Sequence, residues 1–151
     1  MIVGVGTDIV AVGRLLRFYE QHGQGALNRL LSARERGEFD PGGQTGRFLA
    51  KRFAAKEAFG KALGTGLRAP ATLLSLSVAH DGLGRPFFEY APELAAHLAE
   101  AERIIEAAKR GVPADVAAPE LDTDYERARW FPLPHEIAMY LRRRNGGTRP
   151  S

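Results

Sequence analysis

The chain has 151 residues, of which 44% are hydrophobic, and this is enough for one domain with a buried core. It contains no cysteine, which excludes disulfides and thiolate chemistry. We expect a cytoplasmic protein, because no apolar run approaches the roughly 18 residues of a membrane span and the N-terminus lacks the basic region of a signal peptide. The net charge is +3, but residues 1–70 hold 11 basic and 6 acidic side chains, a balance that suits an anionic ligand or partner.

The first predicted element is a β-strand over residues 2–10, with the sequence IVGVGTDIV. An unpaired charge inside this apolar run would be costly, so Asp8 needs a partner. Gly4 and Gly6 share its face of the predicted strand. They leave space beside the carboxylate, which a ligand or a close-packed helix could fill.

Two short helices are predicted next. Residues 12–22 have the pattern of a helix, on which Arg14 and Arg17 lie one turn apart. Ser32 and Glu35 have the spacing of a capping box, in which each residue satisfies the backbone N–H of the other at the start of a helix.

The longest predicted helix covers about residues 45–63, with the sequence TGRFLAKRFAAKEAFGKAL and a stop at the following glycine, Gly64. Its phenylalanines mark a broad apolar face, and both Arg52 and Lys56 lie close to them rather than on the far side. Glu57 and Lys61 are four residues apart, which predicts a solvated surface salt bridge of little energetic weight. The alternative is a site that binds a metal and phosphates.

The later elements include a β-hairpin, so strands and helices are mixed. We therefore predict a small α+β domain whose antiparallel sheet packs on the long helix. The remaining predicted elements are strands at 73–80 and 85–90 joined by a turn at 81–84, a helix over 92–110, an irregular segment at 112–134 and a short helix over 135–144.

A metal ion is one possible partner for the charge of Asp8. Mg²⁺ takes one or two protein carboxylates and fills its other positions with water and substrate phosphate. Asp8 on its strand and Glu57 on a helix packed across it would suit such an ion, and we expect their carboxyl groups within about 4–6 Å of each other. Nearby lysines and arginines would then hold the phosphates.

Two long segments resemble one known family. The sequence GVGTDIVAVGRL, followed some forty residues later by RFLAKRFAAKEAFGKALGTG, is similar to the small bacterial holo-[acyl-carrier-protein] synthases. NRLLSARE between them and GLGRPFFEY after them match two further family segments. The resemblance covers residues 1–92, which we interpret as a phosphopantetheinyl transferase core. Residues 93–151 are then a divergent C-terminal extension of the same domain.

The resemblance implies a reaction of fatty acid biosynthesis. Such enzymes use Mg²⁺ to transfer the 4′-phosphopantetheine arm of coenzyme A to a serine of acyl carrier protein, with release of adenosine 3′,5′-bisphosphate. The family is trimeric with active sites between subunits, so a homotrimer is expected. Phosphoryl transfer of this kind needs placement and neutralised charge more than covalent help from the protein.

The resemblance also implies roles for the catalytic residues. Carried over by position, Asp8 and Glu57 would bind Mg²⁺, and Lys61 would contact the phosphates and steady the leaving group. Arg52 would bind the nucleotide side of coenzyme A near its 3′-phosphate. The base that deprotonates the serine stays open between Glu57, a metal-bound water and Glu35.

Further residues are implied at the edges of the site. Gly64 and Gly66 would allow a close approach of the backbone to coenzyme A, and Pro86 would lie near the adenine. Arg14 and Arg17 would meet the acidic surface of acyl carrier protein.

One departure from the family leaves alternatives. The family ends with a strand that carries His-x-Ser-x-Ser/Thr-His, and no such pattern follows residue 92. A degenerate homologue that binds coenzyme A or the carrier protein without efficient catalysis is therefore the alternative. A nucleic-acid binder is disfavoured, because no aromatic residues are interleaved with the arginines. We expect no catalytic histidine, with His80 in a turn and the others exposed on helices: His22, His97 and His135.

Overall fold

The computed structural model describes residues 4–112. This part of the chain forms five helices and one two-stranded sheet, so the predicted α+β class is confirmed. No helix within it is long and apolar enough to cross a membrane. The elements in chain order are α1 (Val12–His22), α2 (Gln24–Leu30), α3 (Ala33–Gly37), α4 (Thr45–Leu63), β1 (Leu76–His80), β2 (Pro86–Tyr90) and α5 (Pro92–Lys109).

Helix α4 links two apolar clusters. Its first half contributes Leu49 and Ala50 to a cluster with α1 and α2, and its last residue, Leu63, belongs to a second cluster with β1 and α5. Each fully buried leucine stabilises the fold by about 1.5–3 kcal/mol. The other buried members are Leu15, Leu27, Leu30 and Leu31 in the first cluster, and Ala71, Leu76 and Leu94 in the second.

The predicted hairpin is confirmed. Strands β1 and β2 pair antiparallel, with Leu76 opposite Tyr90 and His80 opposite Pro86. Asp81 closes the turn, because one oxygen of its carboxylate accepts the backbone N–H groups of Leu83 and Arg85, both at 2.9 Å. The turn therefore forms from residues within five positions of one another.

The local signals at helix ends are also confirmed. The hydroxyl of Ser32 accepts the N–H of Glu35 at 3.3 Å, and the Glu35 carboxylate accepts the N–H of Ser32 at 2.9 Å, which completes the capping box of α3. Helix α4 ends at Gly64, whose φ of 76° lies in the left-handed region that favours glycine.

The predicted N-terminal strand is wrong for the residues that the structure describes. Residues 4–10 form no β-ladder and lie against α4. Two apolar side chains of this segment are exposed, Val5 at 76% and Ile9 at 98%, whereas Val10 is partly buried against the first apolar cluster. Alternating apolar residues suit a strand, but a strand needs a partner to satisfy its backbone groups, and here the neighbour is a helix.

The glycines make this packing possible. A Cβ on Gly4 would overlap the carbonyl oxygen of Ala62, and a Cβ on Gly6 would overlap that of Ala58. Of the two occupants that the sequence left open for this space, the structure has the close-packed helix.

The prediction that His97 is exposed is wrong. His97 is only 7% exposed, because it shares the inward face of α5 with Leu94, Ala101 and Ile104, three or four residues apart. His22 is exposed as predicted, whereas the prediction of His80 in a turn is wrong, because His80 is the last residue of β1. The predictions for 113–134, the helix at 135–144 and His135 lie outside the described residues.

We predict that Gly6→Ala destabilises the fold by about 1–3 kcal/mol, because the new methyl group collides with rigid backbone of α4. Gly25→Ala in α2 is the matched control, since a Cβ there meets nothing within 4 Å. It should be neutral or stabilising by up to about 1 kcal/mol. Urea unfolding measures the free energy of unfolding of both variants. Equal stability of Gly6→Ala and the wild type would contradict the close packing of Gly6 on the backbone of α4.

Candidate active site

The partner of Asp8 in this structure is Lys61. The Lys61 Nζ atom donates to Asp8 Oδ1 at 2.6 Å and to the backbone carbonyl of Thr7 at 3.0 Å. The Asp8 side chain is 15% exposed and the Lys61 side chain 51%. A largely buried carboxylate is therefore neutralised by an ammonium group that reaches it from the surface.

The crossing of the N-terminal segment over α4 brings these two groups together. Gly4 lies at Ala62 and Gly6 at Ala58, so the segment runs antiparallel to the helix. Side chains of a helix point toward its N-terminus, so Lys61 extends back along α4 toward the approaching Asp8.

Glu57 lies on α4 one turn before Lys61 and is half-buried. The predicted Glu57–Lys61 salt bridge is wrong, because the ion pair of Lys61 is with Asp8. No cation within residues 4–112 lies within ion-pair distance of Glu57. Its carboxylate is thus left without a counter-charge in the described part of the chain.

Glu35 is a structural group. Its carboxylate is fully buried and accepts hydrogen bonds from the N–H of Ser32, the N–H of Val78 at 2.9 Å and Lys56 Nζ at 2.5 Å. A carboxylate held by donors from three elements, with no exposed surface, has no path to a substrate hydroxyl. Of the candidate bases, Glu57 and a metal-bound water are left.

Lys56 is the buried counter-ion of Glu35. Its ammonium also donates to the carbonyls of Leu30 at 3.0 Å and Leu73 at 2.6 Å. Burial lowers the pKa of Lys56, and the hydrogen bond and charge of Glu35 oppose that shift. Lys56 therefore ties α4 to the end of α2, to α3 and to the loop before β1.

The sequence contains a pattern that indicates this burial. The inward positions of α4 recur every three or four residues, as expected for one helix face, and two of them are basic. A basic residue on the inward face requires a buried partner, which the helix itself does not supply. The positions in this repeat are Thr45, Leu49, Arg52, Lys56, Gly60 and Leu63, and Gly46 and Ala50 beside them are also buried.

Arg52 points into the protein. Its Nη2 atom donates to Glu38 at 2.9 Å, and its guanidinium carbon lies 3.5 Å from the centroid of the Phe48 ring. The side chain is 9% exposed, and its Nε atom lies 3.8 Å from Glu35 without a hydrogen bond. A contact of Arg52 with nucleotide stays a prediction.

The glycines after α4 and the proline of β2 lie at the surface or near it. Gly64 and Gly66 both have positive φ, at 76° and 68°, so the chain turns sharply just after Lys61. The N–H of Gly66 donates to the carbonyl of Gly60 at 3.0 Å. Pro86 is exposed at the start of β2. Their predicted contacts with coenzyme A stay predictions.

Arg14 and Arg17 are exposed on α1 and border an open cavity of about 360 Å³. Neither forms an ion pair with an acidic residue among residues 4–112. Two unneutralised guanidinium groups over an apolar floor suit an acidic partner that also offers apolar side chains. The rest of the lining is Leu15, Phe18, Gln21, Leu30 and Phe53.

Comparisons with known proteins show the family of this chain. Residues 4–117 match the family model of the 4′-phosphopantetheinyl transferase superfamily. The holo-[acyl-carrier-protein] synthase of Dechloromonas aromatica is 57% identical over 95 residues, which are 63% of this chain and 76% of that protein. That of Neisseria meningitidis serogroup A is 47% identical over 100 residues, 66% of this chain and 80% of the relative.

Solved structures show the same likeness. The crystal structure of the synthase from Neisseria meningitidis superposes with a TM-score of 0.63 at 46% identity, over 66% of this chain and 80% of that one. A synthase from Bacillus anthracis, solved in complex with CoA (3′,5′-ADP), superposes with a TM-score of 0.53 at 35% identity, over 62% and 79%. The resemblance to holo-[acyl-carrier-protein] synthases is confirmed, and this chain belongs to the 4′-phosphopantetheinyl transferase superfamily.

Proposed function

We propose that the protein is a holo-[acyl-carrier-protein] synthase that transfers 4′-phosphopantetheine from coenzyme A to a serine of acyl carrier protein, for fatty acid biosynthesis. The observation that carries this proposal is the ammonium–carboxylate contact of Lys61 with Asp8, one helical turn from Glu57, in a chain of this family. The serine oxygen bonds to the phosphorus that bears pantetheine. The bond between that phosphorus and the oxygen that bridges the two phosphates of coenzyme A breaks, and adenosine 3′,5′-bisphosphate leaves with this oxygen.

The donor set fits Mg²⁺. Asp8 already holds a cation, the Lys61 ammonium, on its carboxylate, and Glu57 has no counter-charge in the described part of the chain. Two carboxylates are the hard oxygen ligands that Mg²⁺ takes from proteins. The Lys61 side chain points toward the N-terminus of α4, as helical side chains do, and Glu57 lies one turn in that direction. This supports a position of Asp8 close to Glu57. When bound there, Mg²⁺ would supply positive charge against the pyrophosphate oxygens.

The residues of the chain then have separate tasks. Lys61 binds the phosphates and offsets the negative charge that grows on the leaving group. Glu57 is the side chain that could take the serine proton, since Glu35 is buried and bonded to Lys56. Gly64 supports a close approach of the backbone behind Lys61, because its left-handed conformation ends α4 there.

The carrier protein and the assembly are part of the same proposal. The exposed Arg14 and Arg17 give α1 the positive surface that an acidic carrier would meet. A homotrimer, with active sites between subunits as in the family, is proposed on the same grounds as the reaction.

The direct test mixes the full chain with apo acyl carrier protein, coenzyme A and Mg²⁺ and follows the carrier by mass spectrometry. We expect the mass of the carrier to rise by one phosphopantetheine group, and chelation of the metal to stop the reaction. Binding of coenzyme A without any mass change would instead identify a degenerate homologue, and absence of both would refute the proposal.

We predict that Lys61→Ala lowers kcat by about 10²-fold or more, the scale of one well-placed electrostatic group in a transition state. Turnover is measured at saturating Mg²⁺, coenzyme A and carrier protein, so that binding defects drop out. Stability should fall by about 1–3 kcal/mol, because the Asp8 side chain is only 15% exposed and loses its counter-charge. Lys51→Ala removes an exposed lysine of the same helix and should turn over like the wild type. Normal turnover of Lys61→Ala would leave catalysis to Asp8 and Glu57.

We predict that Arg14→Glu weakens the interaction with acyl carrier protein but not with coenzyme A. The change reverses a charge beside the α1 cavity, so association should slow and its salt dependence should decrease. Stopped-flow association with the carrier and calorimetric titration with coenzyme A give the two affinities. Equal loss of both would place Arg14 in the nucleotide pocket or in a subunit contact.

A further inference from the structure

The ammonium of Lys61 occupies a position that would also suit a metal ion. It contacts one carboxylate oxygen and one backbone carbonyl oxygen, Asp8 Oδ1 at 2.6 Å and Thr7 O at 3.0 Å. Both are hard oxygen donors of the kind that Mg²⁺ prefers. Lys61 therefore has the charge sign of a metal ion and already contacts Asp8, one of the two carboxylates proposed to bind the metal.

We propose that Lys61 and the metal ion exchange on Asp8: the lysine neutralises the carboxylate until Mg²⁺ takes it, and is then released toward the phosphates of coenzyme A. This inference rests on the metal site proposed above. Its physical basis is Coulomb repulsion between the lysine ammonium and the divalent ion. This repulsion is strong at a separation of a few ångströms, because that distance is well below the Debye length and salt screens it little. This repulsion disfavours an arrangement in which the ammonium and the metal ion contact Asp8 Oδ1 together.

The structure indicates which group moves. Asp8 is 15% exposed and follows a segment that Gly4 and Gly6 press against the backbone of α4. Lys61 is 51% exposed and has a long, flexible stem. The carboxylate is therefore the fixed half of the pair and the lysine the exchangeable half.

The exchange links metal loading to phosphate binding. A lysine held on Asp8 is not available to the leaving group, so the phosphate ligand would become free only once the metal is in place. By mass action, a competing lysine must also weaken the metal affinity of the free protein. Removing its charge should therefore tighten metal binding, whereas removing a lysine that lies far from Asp8 should leave it unchanged.

The test titrates the full-length, nucleotide-free protein with Mn²⁺, whose free form is counted by electron paramagnetic resonance. We expect Lys61→Gln to bind Mn²⁺ about tenfold more tightly than Lys51→Gln, a factor that corresponds to about 1.4 kcal/mol. Lys51 is the matched control, because it is exposed and lies ten residues away on α4, about 15 Å along the axis. Lys61→Arg keeps the charge and should bind like the wild type.

A second measurement follows the lysine itself. The chain has only four lysines, so ¹³C-lysine labelling gives four ε-methylene signals that substitutions assign. Saturating Mg²⁺ should shift the Lys61 signal and leave that of Lys51 in place. An unmoved Lys61 signal, or equal Mn²⁺ affinities of Lys61→Gln and Lys51→Gln, would overturn the exchange.

Asp8→Asn separates this inference from the proposed function. Mn²⁺ binding that this variant does not weaken would refute the metal site, and the exchange with it. Mn²⁺ binding that depends on Asp8 but is the same in Lys61→Gln and Lys51→Gln would refute the exchange alone.

Discussion

The orientation of α4 depends on the buried contact between Glu35 and Lys56. A lone charge of either sign at this depth would cost several kcal/mol, so each group needs the other and the further hydrogen bonds that complete the pair. Glu35 collects donors from α3, β1 and α4, and Lys56 collects acceptors from the end of α2, α3 and the loop before β1. Together they fix how α4 is rotated about its axis, and thereby the direction in which Glu57 and Lys61 face.

A steric constraint holds α4 from another side. Gly4 and Gly6 let the N-terminal segment cross directly on helix backbone, which delivers Asp8 to the turn that Lys61 reaches. The proposed metal and phosphate ligands thus lie between two rigid contacts: a buried ion pair and a backbone crossing. A site that must place charge against a pyrophosphate benefits from ligands whose supports do not move.

The surface proposed for the carrier protein is coupled to the same helix. Helix α1 packs on α4 around Gly46, where Val12 and Leu16 lie about 3.1 Å from the position of a Cβ, and through the cluster of Leu15 and Leu49. The exposed arginines of α1 are therefore held in a defined relation to Lys61. Carrier protein and coenzyme A would meet on two elements that share one core.

The sequence by itself determined the elements whose hydrogen bonds are local: the capping box of α3, the glycine stop of α4 and the hairpin turn closed by Asp81. It also carried the family motifs, although it left the occupant of the space beside Asp8 open. Only the tertiary structure decided that residues 4–10 pack on a helix rather than in a sheet, and that Asp8 pairs with Lys61, 53 residues away. Likewise, Glu35 is the counter-ion of Lys56 and not a candidate base. The physical reason is that the partner of a charge, and its burial, are set by contacts between distant segments, which local patterns do not contain.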